Sequence, residues 1–256
     1  MLVLRLKGLT GRLDRSEADG SAHGLAGGRR RRFLRWSLAF TAMLLLAGCA
    51  TTPPSSFYTL TPLPQAAGRA GDLGAGSIAV GLGPVTFPQF LDRPQIVTRD
   101  GANRLVVDEF HRWGGTVQDD FLRVWGENLA YLLGGSRVAL FPSESRMPLD
   151  YRVLAQVLAF EGAADGNAVL RVRWSVTDDR QRRTFAAREN VYRCPYRVGG
   201  GDDRATADIR YAAVVAALSE CLGDFSRDVA EVLGGLPEPQ PPAADAAVSS
   251  AAQPRR

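Results

Sequence analysis

Residues 169–177 alternate strictly, with Leu170, Val172, Trp174 and Val176 on one side and Arg171, Arg173 and Ser175 on the other. A period of two over this length is a strand with one face buried and one face wet, so the chain must supply a cover for the apolar side. The last apolar segment can provide it. Across residues 208–233, Tyr211, Val214, Val215, Leu218, Leu222, Phe225, Val229 and Val232 recur at helical spacing, with Gly223 as a candidate bend. A second helix is predicted from Val117, because Val117, Phe121, Val124, Trp125, Leu129 and Leu132 share one face. Thr116 and Asp119 resemble a capping box at its start, and Gly134-Gly135 provides a stop.

Further strands are predicted over residues 57–60, 78–85, 95–99, 104–110, 138–141, 151–160 and 183–192. Asp100-Gly101-Ala102-Asn103 reads as a hairpin turn, and Asp165-Gly166-Asn167 and Asp178-Asp179-Arg180 join the later strands. Two amphipathic helices against a mainly antiparallel sheet of six to eight strands make an α+β two-layer sandwich.

Only part of the chain is available for that fold. Arg29 to Arg32 and Arg35 precede an apolar run of 12 residues, 36–47, which closes at Leu46-Ala47-Gly48-Cys49. As a helix the run reaches about 18 Å, against roughly 30 Å of bilayer hydrocarbon, so it reads as a secretory leader rather than a span. Its close matches a bacterial lipoprotein cleavage site. The expectation is removal of residues 1–48 and acylation of Cys49, which gives firm attachment to a membrane surface. Ala50 stands where an inner-membrane retention signal would place Asp, which favours the outer membrane. Arg30-Arg31-Arg32-Phe33-Leu34-Arg35 also resembles a twin-arginine export pattern, and an ordinary leader with an upstream start explains it equally well.

The leader also distorts the charge. The whole chain carries a net +4. Nine of its 31 basic and three of its 27 acidic residues precede Cys49, which leaves 22 against 24. A mature part at net −2 has no electrostatic footprint for nucleic acid. Within it, residues 49–56 read as the lipidated cysteine and a short tether, 57–236 as one folded domain, and 237–256 as a Pro/Ala-rich tail. That tail holds too few large apolar residues to fold.

With Cys49 assigned to lipid, Cys194 and Cys221 remain as an even pair in a disulfide-permissive compartment. A bridge and two buried thiols are both open readings. Catalytic signals are scarce. After cleavage His111 is the one histidine left, and its place at a predicted strand end reads as a surface residue at a strand-to-helix corner. No nucleophile elbow, paired-cysteine, zinc-protease or phosphate-loop pattern occurs, and Gly81-Leu82-Gly83 lacks the third glycine and the following helix of a dinucleotide site. No cofactor or metal is expected.

The segment 85–97 (VTFPQFLDRPQIV) stands out instead. Two prolines stiffen a loop that carries Phe87, Phe90 and Leu91 beside Asp92 and Arg93. Its rings either present apolar surface to a partner or fold back over the core edge. The longer stretch FPQFLDRPQIVTRDGANRLVVDEFHRWGGTVQDDFLRVWGENLAYLL closely resembles the signature of the PqiC (YmbA-like) auxiliary lipoproteins of ABC-type and MCE-type transport systems. The shared elements are the LDRPQIV run, a strand leading into Arg112-Trp113, and a helix with Asn128-Leu129-Ala130. The early FYTL at 57–60, after the cysteine and tether, matches as well. The sequence departs from the family at Gly114-Gly115-Thr116, where a small-acidic-Pro-apolar run is usual.

The resemblance implies a non-enzymatic lipoprotein on the periplasmic face of the outer membrane. It would dock onto a periplasm-spanning MCE-domain protein of an intermembrane lipid transport system and support envelope integrity. Phe87, Phe90, Leu91, Asp92, Arg93, Pro94 and Gln95, with Arg112 and Trp113, are the expected interface, and a homo-oligomeric ring is expected by analogy alone. The alternative is a periplasmic lipid carrier whose cavity is lined by Leu170, Trp174 and Phe225.

Overall fold

The computed structural model describes residues 36, 54–65, 78–134, 137–142, 148–178, 183–197 and 204–237. Cys49, nearly all of the leader, Gly135, Asp179, Arg180, Asp202, Asp203 and the tail beyond Pro237 lie outside the described residues. The chain divides into Met1–Thr52 and Pro53–Arg256. Trp36, helical and exposed, is the described residue of the first unit.

The second unit is α+β. Its strands are β1 (Ser56–Tyr58), β2 (Ala79–Thr86), β3 (Gln95–Asp100), β4 (Arg104–Trp113), β5 (Arg137–Leu140), β6 (Tyr151–Ala163), β7 (Asn167–Asp178) and β8 (Thr184–Pro195). The helices are α1 (Val117–Leu132) and α2 (Arg204–Gly234). All eight strands join one mixed sheet.

The antiparallel ladders are the long ones: β6 pairs β7 from Tyr151–Asp178 to Gly162–Ala168, and β7 pairs β8 from Asn167–Pro195 to Thr177–Thr184. The β3–β4 hairpin turns at Gly101, whose φ of 72° suits a residue without Cβ. Four shorter ladders are parallel: β1 with β4, β2 with β5, and both β2 and β3 with β6.

Because β7 occupies one edge of β6 throughout, β2 and β3 must share the other. β2 takes Tyr151 to Gln156, and β3 takes Gly162 and Ala163. Residues 157–161 are left between them at a fork in the sheet. The segment 87–94 crosses that fork.

The period-two reading of 169–177 corresponds to the packing. Leu170, Val172, Trp174 and Val176 are buried, while Arg171 and Arg173 stand on the outer face and bind Glu189 of β8. Those two guanidiniums hold the Glu189 carboxyl below its usual range. α1 begins as predicted, with Thr116 Oγ1 accepting from the Asp119 amide at 3.1 Å. Its apolar face buries Val117, Phe121, Val124, Trp125 and Leu129. Gly134, with φ 62°, follows its end.

α2 starts four residues earlier than predicted and runs unbroken through Gly223. That glycine is a point of close approach rather than a bend, since a Cβ there would meet Leu63 Cδ2 at 2.7 Å. Between β1 and residue 65 the chain forms no strand, yet its amides are satisfied by helix side chains. Leu60 N donates to Asp120 Oδ2 at 2.6 Å, Thr61 N to Ser219 Oγ at 3.1 Å and Leu63 N to Asn128 Oδ1 at 2.7 Å. Asn128 also donates to Ser226 Oγ at 3.3 Å, which ties this segment to both helices. The Asn of the Asn-Leu-Ala signature therefore has a structural role.

Cys194 and Cys221 are joined by a disulfide with Cα atoms 5.7 Å apart, linking the end of β8 to α2. A second link between the same two elements is the Tyr192 hydroxyl, which donates to Asp228 Oδ2 at 2.6 Å. Burial, followed by the hydrogen bond to Asp228 and then that carboxylate's charge, raises the Tyr192 phenol above its ordinary 10.0. A raised folded-state value makes the stabilisation complete below pH 10 and progressively lost as pH climbs above it. The expected result is a thermal midpoint that falls above pH 10 in the native protein, with a shallower fall in Tyr192→Phe. Equal slopes in calorimetry across pH 9 to 11 would exclude this contribution.

Candidate functional site

The β2–β3 connection is rigid for local reasons. Pro88 and Pro94 fix φ and lack amide donors. Leu91 N donates to Pro88 O at 2.9 Å, Asp92 N to the same oxygen at 3.2 Å, and Arg93 N to Leu91 O at 2.9 Å. Trp113 N reaches Pro94 O at 2.8 Å and closes the loop against the end of β4.

Its apolar residues turn inward, which decides between the two placements open from sequence. The Phe87 ring meets Phe121 at 5.5 Å and Phe160 at 6.1 Å, both edge-to-face, and so covers the fork beside β6. Leu91 is 4% exposed, and Phe90 is half-buried against the core. Trp113, 5% exposed, stacks on Phe160 at 6.2 Å.

Leu91 and Trp113 are thus corrected from interface to core, and Phe87 is an anchor rather than a displayed ring. The physical reason is the gap in the sheet edge, whose apolar lining the loop must cover. What faces solvent is Gln89, Asp92, Arg93 and Pro94. Beside them Gln95 pairs across the ladder with Arg112. Gln95 Nε2 donates to Glu109 Oε2 at 3.0 Å, and Arg112 Nε donates to Glu109 O at 2.9 Å. Glu109, absent from the sequence-based set, orders the two side chains. The result is a stiff polar tip bearing both signs of charge, suited to hydrogen-bonded recognition of another surface.

His111 is likewise corrected. It is 3% exposed, stacked on Tyr211 with centroids 4.1 Å apart, and its Nδ1 lies 3.0 Å from the Tyr58 hydroxyl and 3.6 Å from Asp208 Oδ1. β4 extends to Trp113 because β1 pairs with residues 111–113, and this turns His111 inward. Ser56 Oγ completes the cluster by donating to Asp208 Oδ1 at 2.9 Å. The carboxylate lies between hydroxyl and imidazole, so His111 does not stand against the serine as it does in a Ser–His pair, and the cluster ties β1 and β4 to α2. Burial first, and then Asp208, raises the Tyr58 phenol, which remains a hydrogen-bonding group. Among the described residues no group of three or more His, Cys, Asp or Glu could hold a metal. No described helix is long and apolar enough to cross a membrane.

The residues expected to line a lipid cavity form a packed ring cluster. Phe225 lies 5.1 Å from Trp125, 6.0 Å from Trp174, 6.0 Å from Tyr192 and 6.3 Å from Phe121. Leu170 is fully buried in the same core. The carrier reading loses its lining.

No curated protein matches the chain. Among solved structures, one of an uncharacterised protein aligns at TM-score 0.53 and 15% identity, covering 70% of this chain and 97% of that one. Another, of a protein from Xanthomonas campestris, aligns at TM-score 0.52 and 17% identity, covering 70% and 96%. These likenesses concern the fold. A family model described as the ABC-type transport auxiliary lipoprotein component matches residues 58–230, from β1 into α2. The chain therefore belongs to that family of transport auxiliary lipoproteins, the PqiC (YmbA-like) group.

Proposed function

We propose that the protein is anchored in the outer membrane through acylated Cys49. There it docks, by its β2–β3 tip, onto a periplasm-spanning MCE-type protein of an intermembrane lipid transport system. The observation that carries this reading is the rigid polar tip of a transport auxiliary lipoprotein, held by inward-facing anchors. Position supports it as well. Phe57, Arg112 and Gln95 lie in one row across β1, β4 and β3. At about 4.8 Å per strand, the tip begins roughly 10 Å from the point where the chain arrives from the anchor. A partner seated there would end close to the bilayer, as a lipid conduit requires. Assembly of several copies into a ring around that partner extends the proposal.

Because Leu91 is core, the test uses the exposed pair. Combined Asp92→Ala and Arg93→Ala should cut co-purification with the MCE-type partner about tenfold or more, equivalent to roughly 1.4 kcal/mol. Acylation and melting temperature should stay unchanged, since surface substitutions away from structural features fall within about 0.5 kcal/mol. Undiminished co-purification of the double variant removes the tip from the interface. Failure of Cys49 to take up labelled palmitate removes the anchor.

A further inference from the structure

Among the described residues of the folded unit, four large apolar side chains are exposed: Phe57 at 67%, Ile209 at 63%, Val191 at 53% and Val106 at 38%. Single exposed apolar residues need no explanation. The first two are not independent, however. Phe57 follows Ser56 and Ile209 follows Asp208, and Ser56 Oγ donates to Asp208 Oδ1 at 2.9 Å. Ser56 and Tyr58 point toward α2, so Phe57, between them on β1, points from the opposite face of the strand, and the two most exposed of these apolar side chains border the junction of β1 with the first turns of α2 from its two sides. Tyr58 and Arg204 hold the same junction, through the Asp208 and Pro54 carbonyls respectively.

This junction is also where the chain enters the fold. Pro54 lies five residues after Cys49, and five residues span at most about 18 Å when fully extended. An acylated Cys49 fixes that end of the chain at the bilayer interface, so Pro54, which accepts a hydrogen bond from Arg204 of α2, lies within that reach of the phospholipid headgroups, with the junction beside it. Aromatic and aliphatic side chains gain by entering that boundary in proportion to the apolar area they bury there. β1 is an edge strand, with β4 on one side only, so nothing in its sheet pairing shields Phe57.

We propose that Phe57 and Ile209 form a second, peripheral contact with the phospholipid bilayer that carries the acylated Cys49. The inference rests on the proposed acylation. It gives the contact a purpose: three points of attachment fix the domain's orientation, whereas a lipid on a short tether leaves it free to rotate. The polar tip, two strands from Phe57, is then presented at a constant height and angle to its partner.

The test uses the mature acylated protein in vesicles of phosphatidylethanolamine and phosphatidylglycerol, with and without bromine on the acyl chains. Trp113, Trp125 and Trp174 are buried and serve as a constant background. Phe57→Trp and Ile209→Trp should each add fluorescence that is blue-shifted on vesicles and quenched about twofold by bromine. Val191→Trp, on the far edge strand β8, should add fluorescence that is not. Protein that floats with the vesicles but leaves positions 57 and 209 no more quenched than position 191 overturns the second contact alone. Protein that stays in the aqueous fraction overturns the anchor, and the second contact with it.

Discussion

Phe225→Ala lowers the stability of the domain by about 3 to 5 kcal/mol, the range for removing a fully packed aromatic side chain. Its ring lies within about 6 Å of four others, on α1, β7 and β8, so the vacated volume is bounded by side chains that belong to three different elements. None of them can move into the space without leaving its own neighbours, and the cavity term adds fully to the lost transfer energy. For a domain of this size the thermal midpoint should drop by about 6 to 20 °C. Calorimetry on the variant measures this directly. A drop of less than about 3 °C would mean that the cluster relaxes around a void and that a ligand-sized space is accessible there after all. Phe225→Leu, which keeps most of the volume, should recover more than half of the loss.

Replacing Cys194 and Cys221 together by alanine costs about 3 to 4 kcal/mol in the chain-entropy account, because the bridge closes a loop of 27 residues in the unfolded chain. The bridge also fastens the outermost long strand, β8, to α2. β8 has a neighbour on one edge only, so its free edge depends on such ties. Urea unfolding of the native protein with and without dithiothreitol, compared with the double variant, should give the same difference by either route. A difference below about 1 kcal/mol would show that the bridge adds little beyond the Tyr192–Asp228 hydrogen bond and the packing of α2.

Much of the fold was legible wherever a period met a single covered face. The alternation at 169–177 and the stripe from Val117 to Leu129 were readable because both elements bury one side and wet the other. The hairpin at Asp100 to Asn103 announced itself through turn chemistry. Sheet order was not legible. β1 pairs with β4, and β3 with β6, in parallel, and such ladders join segments far apart in sequence without a turn signal between them.

That long-range pairing is also why His111 was misplaced: nothing near it in sequence indicates that β1 will extend its strand. The loop at 87–94 shows a related limit. Its residue types announced rigidity, but a loop has no period from which inward and outward can be read. Phe87 faces Phe121 and Phe160 because β2 and β3 divide one edge of β6, which is a property of the assembled sheet. Of the residues proposed for the interface, Asp92, Arg93 and Pro94 stay exposed through charge or backbone rigidity, and Gln95 and Arg112 lie half-buried beside them.

The proposed function requires that this tip touch an MCE-type protein while the chain is held at the membrane. Photo-crosslinking decides it: a phenylalanine analogue is placed at exposed position 89 of the tip, and separately at position 191, in the acylated protein within living cells. An ultraviolet-dependent covalent adduct with the MCE-type protein is expected from position 89 and none from position 191. An adduct from position 191 with none from position 89 would rule out docking through the tip.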